Sequence, residues 1–224
     1  NNMKGYGVSH MTTALTAAGA ILFYLDDTNH KHTGHITTLT RIDEDRYVKM
    51  DNFTMRNLEV LAPMSEGGRT LLQVIDNTVT PMGARLLRRW VCFPLCDVKQ
   101  IEERQNGVEY FFRDIDFRET LTEHLQSVGD MERLISKLAV GRINPREMQQ
   151  LRYDLEAVRP IKEACAATDL NSLREIGSKM DELENLYQKI ATTLRPDPPS
   201  LTVKGGYIDR GVNKELDQLR ELST

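Results

Sequence analysis

Arg85, Arg88 and Arg89 are the residues whose type and spacing first suggest chemistry. At i, i+3 and i+4 they share one helix face, and three guanidiniums there could meet DNA phosphates. The preferred reading is a solvated face paired with acids of neighbouring helices, because the chain as a whole is negative, with a net charge of −4. His30, His32 and His35 could bind a metal, but no cysteine or acid stands at ligand spacing, so they read as exposed loop histidines. Cys92 and Cys96 are four apart across Pro94 without a second pair, which suits buried structural cysteines better than a metal site. Gly5-Tyr6-Gly7 is too short for a phosphate loop, and GxxxxGK[ST] occurs nowhere. Asp76, Asp130 and Glu132 show no pairing that suggests acid–base work, and carboxylates on amphipathic helices are usually solvated. No catalytic, cofactor-binding or metal residue is therefore assigned, and this chain is expected not to be an enzyme by itself.

The arginines must be carried by a helix, and the sequence spells one out. Thr80 can cap it, Pro81 fits its first position, and Met82, Leu86, Leu87, Trp90 and Val91 form an apolar stripe opposite the basic face. Pro94 should stop it, and Asp97 should open a helix carrying Ile101, Val108, Phe111 and Phe112. Phe117, Leu121, Leu125 and Val128 continue the pattern, and Asp130 starts one with Met131, Leu134, Ile135 and Leu138 on one face. Asn144-Pro145-Arg146-Glu147 is a capping box with proline at the first position, and Pro160 should kink or end the helix that follows. Leu173, Ile176, Met180, Leu183, Tyr187, Ile190 and Leu194 alternate steps of three and four, which predicts one helix from Ser172 to Leu194, about 34 Å long. A charge at Met180 or Leu183 should disrupt that seam. It could be an oligomer interface or pack inside one bundle; spacing leaves both open.

Ahead of these, Met11–Leu25 reads as a helix with Leu15, Ala18, Ile21, Leu22 and Leu25 on its apolar face. Ile36–Ile42 and Arg46–Asp51 read as two strands of a small hairpin at 36–51, turning at Asp43-Glu44-Asp45. Phe53–Leu61 reads as a short helix ended by Pro63. Near the end, Leu201-Thr202-Val203 reads as a short strand, and Asn213–Leu222 as a helix. The fold class is mainly α, a multi-helix domain with a small β-hairpin near the N-terminus.

A length of 224 residues with 40% hydrophobic and 28% charged content suits one large globular domain. The acidic balance argues against a chain-wide basic footprint for nucleic acid. Three cysteines, Cys92, Cys96 and Cys165, fit a reducing compartment, and without a signal peptide or a transmembrane-length apolar run a cytoplasmic location with no membrane partner is expected. The abrupt start and the stop at Ser223-Thr224 suggest cuts inside a larger protein.

The wording of these elements resembles the MutS family of bacterial DNA mismatch-recognition ATPases. The resemblance is carried by Asp76-Asn77-Thr78-Val79-Thr80-Pro81-Met82-Gly83-Ala84-Arg85 through Trp90, and by Met50-Asp51 with Arg56-Asn57-Leu58-Glu59. Pro94-Leu95 with Asp97, Ile101 and Arg104 adds to it, as do Gly129-Asp130-Met131-Glu132-Arg133-Leu134, Asn144-Pro145-Arg146-Glu147, Gly205-Gly206 and Gly211–Asp217. Gly5–Val8 and Ala17–Leu22 look like the end of the family's connector domain, and Val212 departs from the aromatic residue common there. The resemblance implies residues 1–27 as the end of the connector and a linking helix, 28–199 as the α-helical core or lever domain with the hairpin, and 200–224 as the start of a truncated clamp domain. It also implies that the chain joins the ATPase of a parent protein to its DNA clamp and mismatch-binding modules. That parent would use ATP and Mg2+, act as a homodimer on mismatched double-stranded DNA, and work with a downstream repair factor of the MutL type. No cofactor is implied for this chain. The alternatives are a helical protein–protein adaptor and a direct DNA-binding helical module using Arg85, Arg88 and Arg89.

Overall fold

The computed structural model describes residues 8, 10–28, 33–34, 36–37 and 46–222, with Lys204 described by its backbone only. The described chain is mainly helical: α1 Thr12–Asp27, α2 Asn52–Asn57, α3 Leu71–Ile75, α4 Pro81–Cys92, α5 Val98–Arg113, α6 Ile115–Gln126, α7 Met131–Ala139, α8 Pro145–Ala166, α9 Asn171–Lys179, α10 Glu184–Thr193 and α11 Lys214–Leu222.

Local cap chemistry fixes most of the helix starts. The side chains of Thr80, Asp97, Asp114 and Asp130 each accept the backbone N–H three residues on, at 3.0, 2.8, 2.9 and 3.2 Å. Asn144 and Glu147 form the reciprocal box, with N–H to carbonyl or carboxylate oxygen distances of 3.0 and 3.1 Å. A second box, not anticipated, joins the buried Thr70 to Gln73 at the start of α3.

The centre of the fold is α8. It packs against α6, α7, α9 and α10. Leu121 and Val128 meet Ala157, Ile161 and Cys165 of α8 in a buried cluster, with Met82, Phe111, Phe117, Leu125, Met131 and Met180 around its rim. Phe111 stacks on Phe117 at 5.7 Å and Tyr110 meets Phe117 edge-on at 5.4 Å, which ties α5 to α6.

Several expectations change in the folded chain. Pro160 lies inside α8, so of the two outcomes expected there, a kink or an end, the end is excluded. A proline in a helix interior costs about 3 kcal/mol, and burial of Ala157, Ile161 and Cys165 on either side of it outweighs that loss.

The 172–194 seam is not one helix. α9 stops at Lys179, Met180 turns extended, Leu183 takes a left-handed φ of 48°, and α10 starts at Glu184. The two shorter helices, separated by the break, both lie on α8. Leu173, Ile190 and Leu194 are buried, but Ile176 and Leu183 stay 50% and 44% exposed, so a charge at Leu183 would not enter the core.

Among the described residues there is no β-strand. The arm Arg46–Asp51 bonds instead to the chain after α4: Val48 donates to the Pro94 carbonyl, Cys96 donates to that of Arg46, and Tyr47 bridges Leu95. Tyr47 also meets Phe93 edge-on at 5.8 Å. Pro94 has no N–H, so the ladder cannot extend. The rest of the predicted hairpin, 38–45, lies outside the described residues.

Residues Thr202–Lys204 form a 3-10 turn, not a strand. The extended pairing there is between Leu194 and Ile208. The short helix predicted from Phe53 is α2, capped by Asp51 and closed at Leu58, well before Pro63.

Candidate functional site

The three arginines ride on α4 and diverge in role. The Arg85 guanidinium lies across the start of α7, with Nη1 and Nη2 on the two Asp130 oxygens at 3.0 and 2.7 Å. Its Nε and Nη2 also reach Glu132 Oε2 at 2.9 and 2.6 Å. This planar fork suits two carboxylates better than any lysine could. Asp130 and Glu132 hold Arg85 protonated above its ordinary range, and Arg85 in return holds the Asp130 carboxyl below its own. Arg88 and Arg89 are exposed and form no ion pair among the described residues. Further along α4, Trp90 lies under the Arg104 guanidinium at 3.7 Å, a cation–π contact with α5.

α8 carries a line of polar anchors along its packed faces. Lys137 of α7 pairs with Glu147, which with the Asn144 N–H keeps that carboxyl below its ordinary range. Gln149 is buried and donates from Nε2 to the Arg195 carbonyl at 2.7 Å, while Arg146 Nε reaches the Pro198 carbonyl at 3.2 Å. Arg159 and Lys162 hold the α9–α10 connection by Glu182, at 2.8 and 3.0 Å, and Arg159 also meets Glu184 at 2.7 Å. Arg159 first, then Lys162, draws the Glu182 carboxyl below its ordinary range. Between these anchors lies Asp154, fully buried, with Oδ1 accepting from the Gly129 N–H at 2.8 Å and from Gln150 Nε2 at 2.9 Å.

As expected of a basic face paired with acids of a neighbouring helix, Arg85 is brought together with Asp130 and Glu132, while Asp76 accepts from Thr78 within its own turn. Cys92 is half-buried, Cys165 is buried and Cys96 is exposed, so the prediction that Cys92 and Cys96 are both buried fails at Cys96; it sits where the chain leaves α4 at the surface. All three are free thiols, and burial pushes that of Cys165 up. His30, His32, His35 and Gly5–Gly7 lie outside the described residues. Among those described, no group of three or more histidine, cysteine or acidic side chains could hold a metal ion, and no helix is long and apolar enough to cross a membrane.

Asp154 and Gly177 escaped the sequence reading, although each left a signal. Asp154 stands three residues after Leu151 and four before Val158, an acid on an apolar face. Gly177 is a glycine inside a heptad pattern; a Cβ there would come within 2.8 Å of Cys165 Cβ, which marks a close approach of α9 to α8.

Geometry of this kind positions helices and holds no reacting group among the described residues: it defines a helical scaffold module built around one central spine. Residues 53–223 match the family model described as MutS domain III. Over 99% of its length the chain is 54% identical to the DNA mismatch repair protein MutS of Phocaeicola vulgatus and 52% identical to that of Parabacteroides distasonis, covering 26% of each. Over its full length it is 42% identical to that of Flavobacterium johnsoniae, again covering 26%. The chain belongs to the MutS domain III family. It spans about a quarter of the length of these curated relatives.

Proposed function

We propose that the chain is the core or lever module of a DNA mismatch repair protein, coupling the ATPase state of that parent to its DNA clamp and mismatch-binding modules. The observation that carries this reading is the α8 spine. It is a 22-residue helix, about 33 Å long at 1.5 Å per residue, with helices packed along it and its connections pinned by ion pairs. Packed helices move as bodies between discrete arrangements, so a displacement at one end is delivered to the other.

In this reading residues 1–27 end the connector, 28–199 form the lever, and 200–224 begin the clamp. The parent is a cytoplasmic homodimer that binds mismatched double-stranded DNA, uses ATP and Mg2+, and hands on to a repair factor of the MutL type. Identity above 50% across the whole chain with proteins named for DNA mismatch repair supports the setting.

Replacing Met180 by Asp in the intact parent tests the coupling, because Met180 packs on the core of α8. ATP hydrolysis should persist while ATP-driven release of heteroduplex DNA is lost. Normal ATP-driven release by a parent whose 224-residue chain melts at a lowered temperature would overturn the reading.

The exposure of Arg88 and Arg89 favours one second reading, a direct phosphate contact from α4. Salt-sensitive binding of duplex DNA by the 224-residue chain, removed by Arg88→Glu with Arg89→Glu, would establish it.

A further inference from the structure

We infer that buried Asp154 is a positioning residue, and that a relay from its carboxylate through the Gly129 backbone and Asp130 to Arg85 sets where α4 sits on the bundle. The relay deepens the lever reading and rests on it only for its use in the parent.

Each link is short and direct. Asp154 is 0% exposed and takes the Gly129 N–H at 2.8 Å. Its other oxygen, Oδ2, is buried and has no hydrogen-bond partner among the described residues. An apolar side chain would fill the position without leaving such an oxygen in the core, so packing does not account for a carboxylate there. What the carboxylate provides is the hold on Gly129. A Cβ on Gly129 would lie 3.2 Å from Oδ1 and 3.4 Å from Oδ2, so any larger residue would press the acid back by a few tenths of an ångström. The next residue is Asp130. Its carboxylate both caps α7 through the Arg133 N–H and takes two bonds from Arg85. One buried oxygen therefore fixes the backbone that aims the carboxylate that holds α4.

Among the described residues α4 has few other contacts across the fold besides the Tyr47 ring on Phe93 just past its end. Met82 touches the rim of the core cluster and Trp90 meets Arg104. A helix attached at so few points takes its orientation from each of them. Arg85 and Trp90 sit five residues apart on α4, so a shift at one is felt at the other.

Trp90 is the single tryptophan of the chain and is 41% exposed, so its quenching by acrylamide reads the docking of α4 directly. In the 224-residue chain, Arg85→Gln, Asp154→Ala and Gly129→Ala should each raise the quenching constant, at most by about twofold since exposure can rise no further than complete. Asp154→Asn keeps an oxygen for the Gly129 N–H and should leave quenching near that of the parent chain. The double variant Arg85→Gln with Asp154→Ala should match the larger single effect, as members of one relay do. Additive effects, or a rise with Arg85→Gln alone, would overturn the relay. Should Asp154→Ala lose its helical circular dichroism, Gly129→Ala decides, and unchanged quenching there overturns it. The measurement uses neither ATP nor DNA, so failure of the lever reading in the parent leaves its outcome untouched.

Discussion

Replacing a helical glycine by alanine usually stabilises a protein, and two glycines of this chain should answer in opposite directions. Alanine is favoured over glycine in a helix interior by about 0.8–1.0 kcal/mol. Gly107, inside α5, has nothing among the described residues within 4 Å of the place a Cβ would take, so Gly107→Ala should realise that gain. Gly177, inside α9, would put its Cβ 2.8 Å from Cys165 Cβ and 3.3 Å from the Lys162 carbonyl oxygen. Neither is the free end of a flexible side chain. Carbon atoms prefer separations of about 3.5–4.0 Å, so α9 must lift from α8 by about 0.7 Å, and a gap of that size forfeits a quarter to a half of each contact it opens. Overpacking of this kind costs about 1–3 kcal/mol. Set against the helix-propensity gain, Gly177→Ala should be destabilising by about 1 kcal/mol net. At about 2–4 °C per kcal/mol for a chain of this size, Gly107→Ala should raise the thermal midpoint by about 3 °C and Gly177→Ala lower it by about as much. Thermal unfolding followed by far-ultraviolet circular dichroism reads both. A midpoint that rises in both variants would refute the close approach of α8 and α9 at Gly177.

Two further outcomes follow from strain and from charge. Leu183 adopts a left-handed conformation that costs a leucine about 1–2 kcal/mol, and at 44% exposure it has little burial to lose. Leu183→Asn should therefore raise the urea midpoint, by about 0.5–1 kcal/mol of stability; a lower midpoint would show that the side chain matters more than the backbone. The Glu147 carboxyl is held below its ordinary value of 4.5, first by Lys137 and then by the Asn144 N–H. A depressed folded value means stability that is present above pH 4.5 and lost as the pH falls through the folded value. Glu147→Gln should lower stability at neutral pH and flatten the acid limb of a stability–pH curve, and an unchanged slope below pH 4.5 would remove Glu147 from that limb.

The experiments above bear on features of unequal visibility in the sequence. The start of α4 could be read from Thr80 and Pro81 alone, and that of α8 from Asn144, Pro145 and Glu147, because a cap joins residues three apart and needs nothing from the rest of the chain. The partners of Arg85 could be anticipated as acids of a neighbouring helix, but not as Asp130 and Glu132, which stand 45 and 47 residues away. Cys96 shows the opposite error: a cysteine beside an apolar stripe suggests burial, yet it falls just past the end of the helix, where the chain turns to pair with Arg46 at the surface.

The sequence by itself determined a mainly helical chain, the starts of its principal helices, and the family whose wording they share. Those rest on interactions within one turn of helix and on residue order, which survive without a fold. Tertiary structure decided that α8 runs through Pro160, that the seam breaks between Met180 and Glu184, and that Arg46–Asp51 pairs with the chain after α4. At Pro160 a local cost of about 3 kcal/mol was set against the burial of Ala157, Ile161 and Cys165, at up to roughly 1.5–3 kcal/mol for a large side chain. Where burial joins residues far apart in sequence it prevails, and no local pattern announces it.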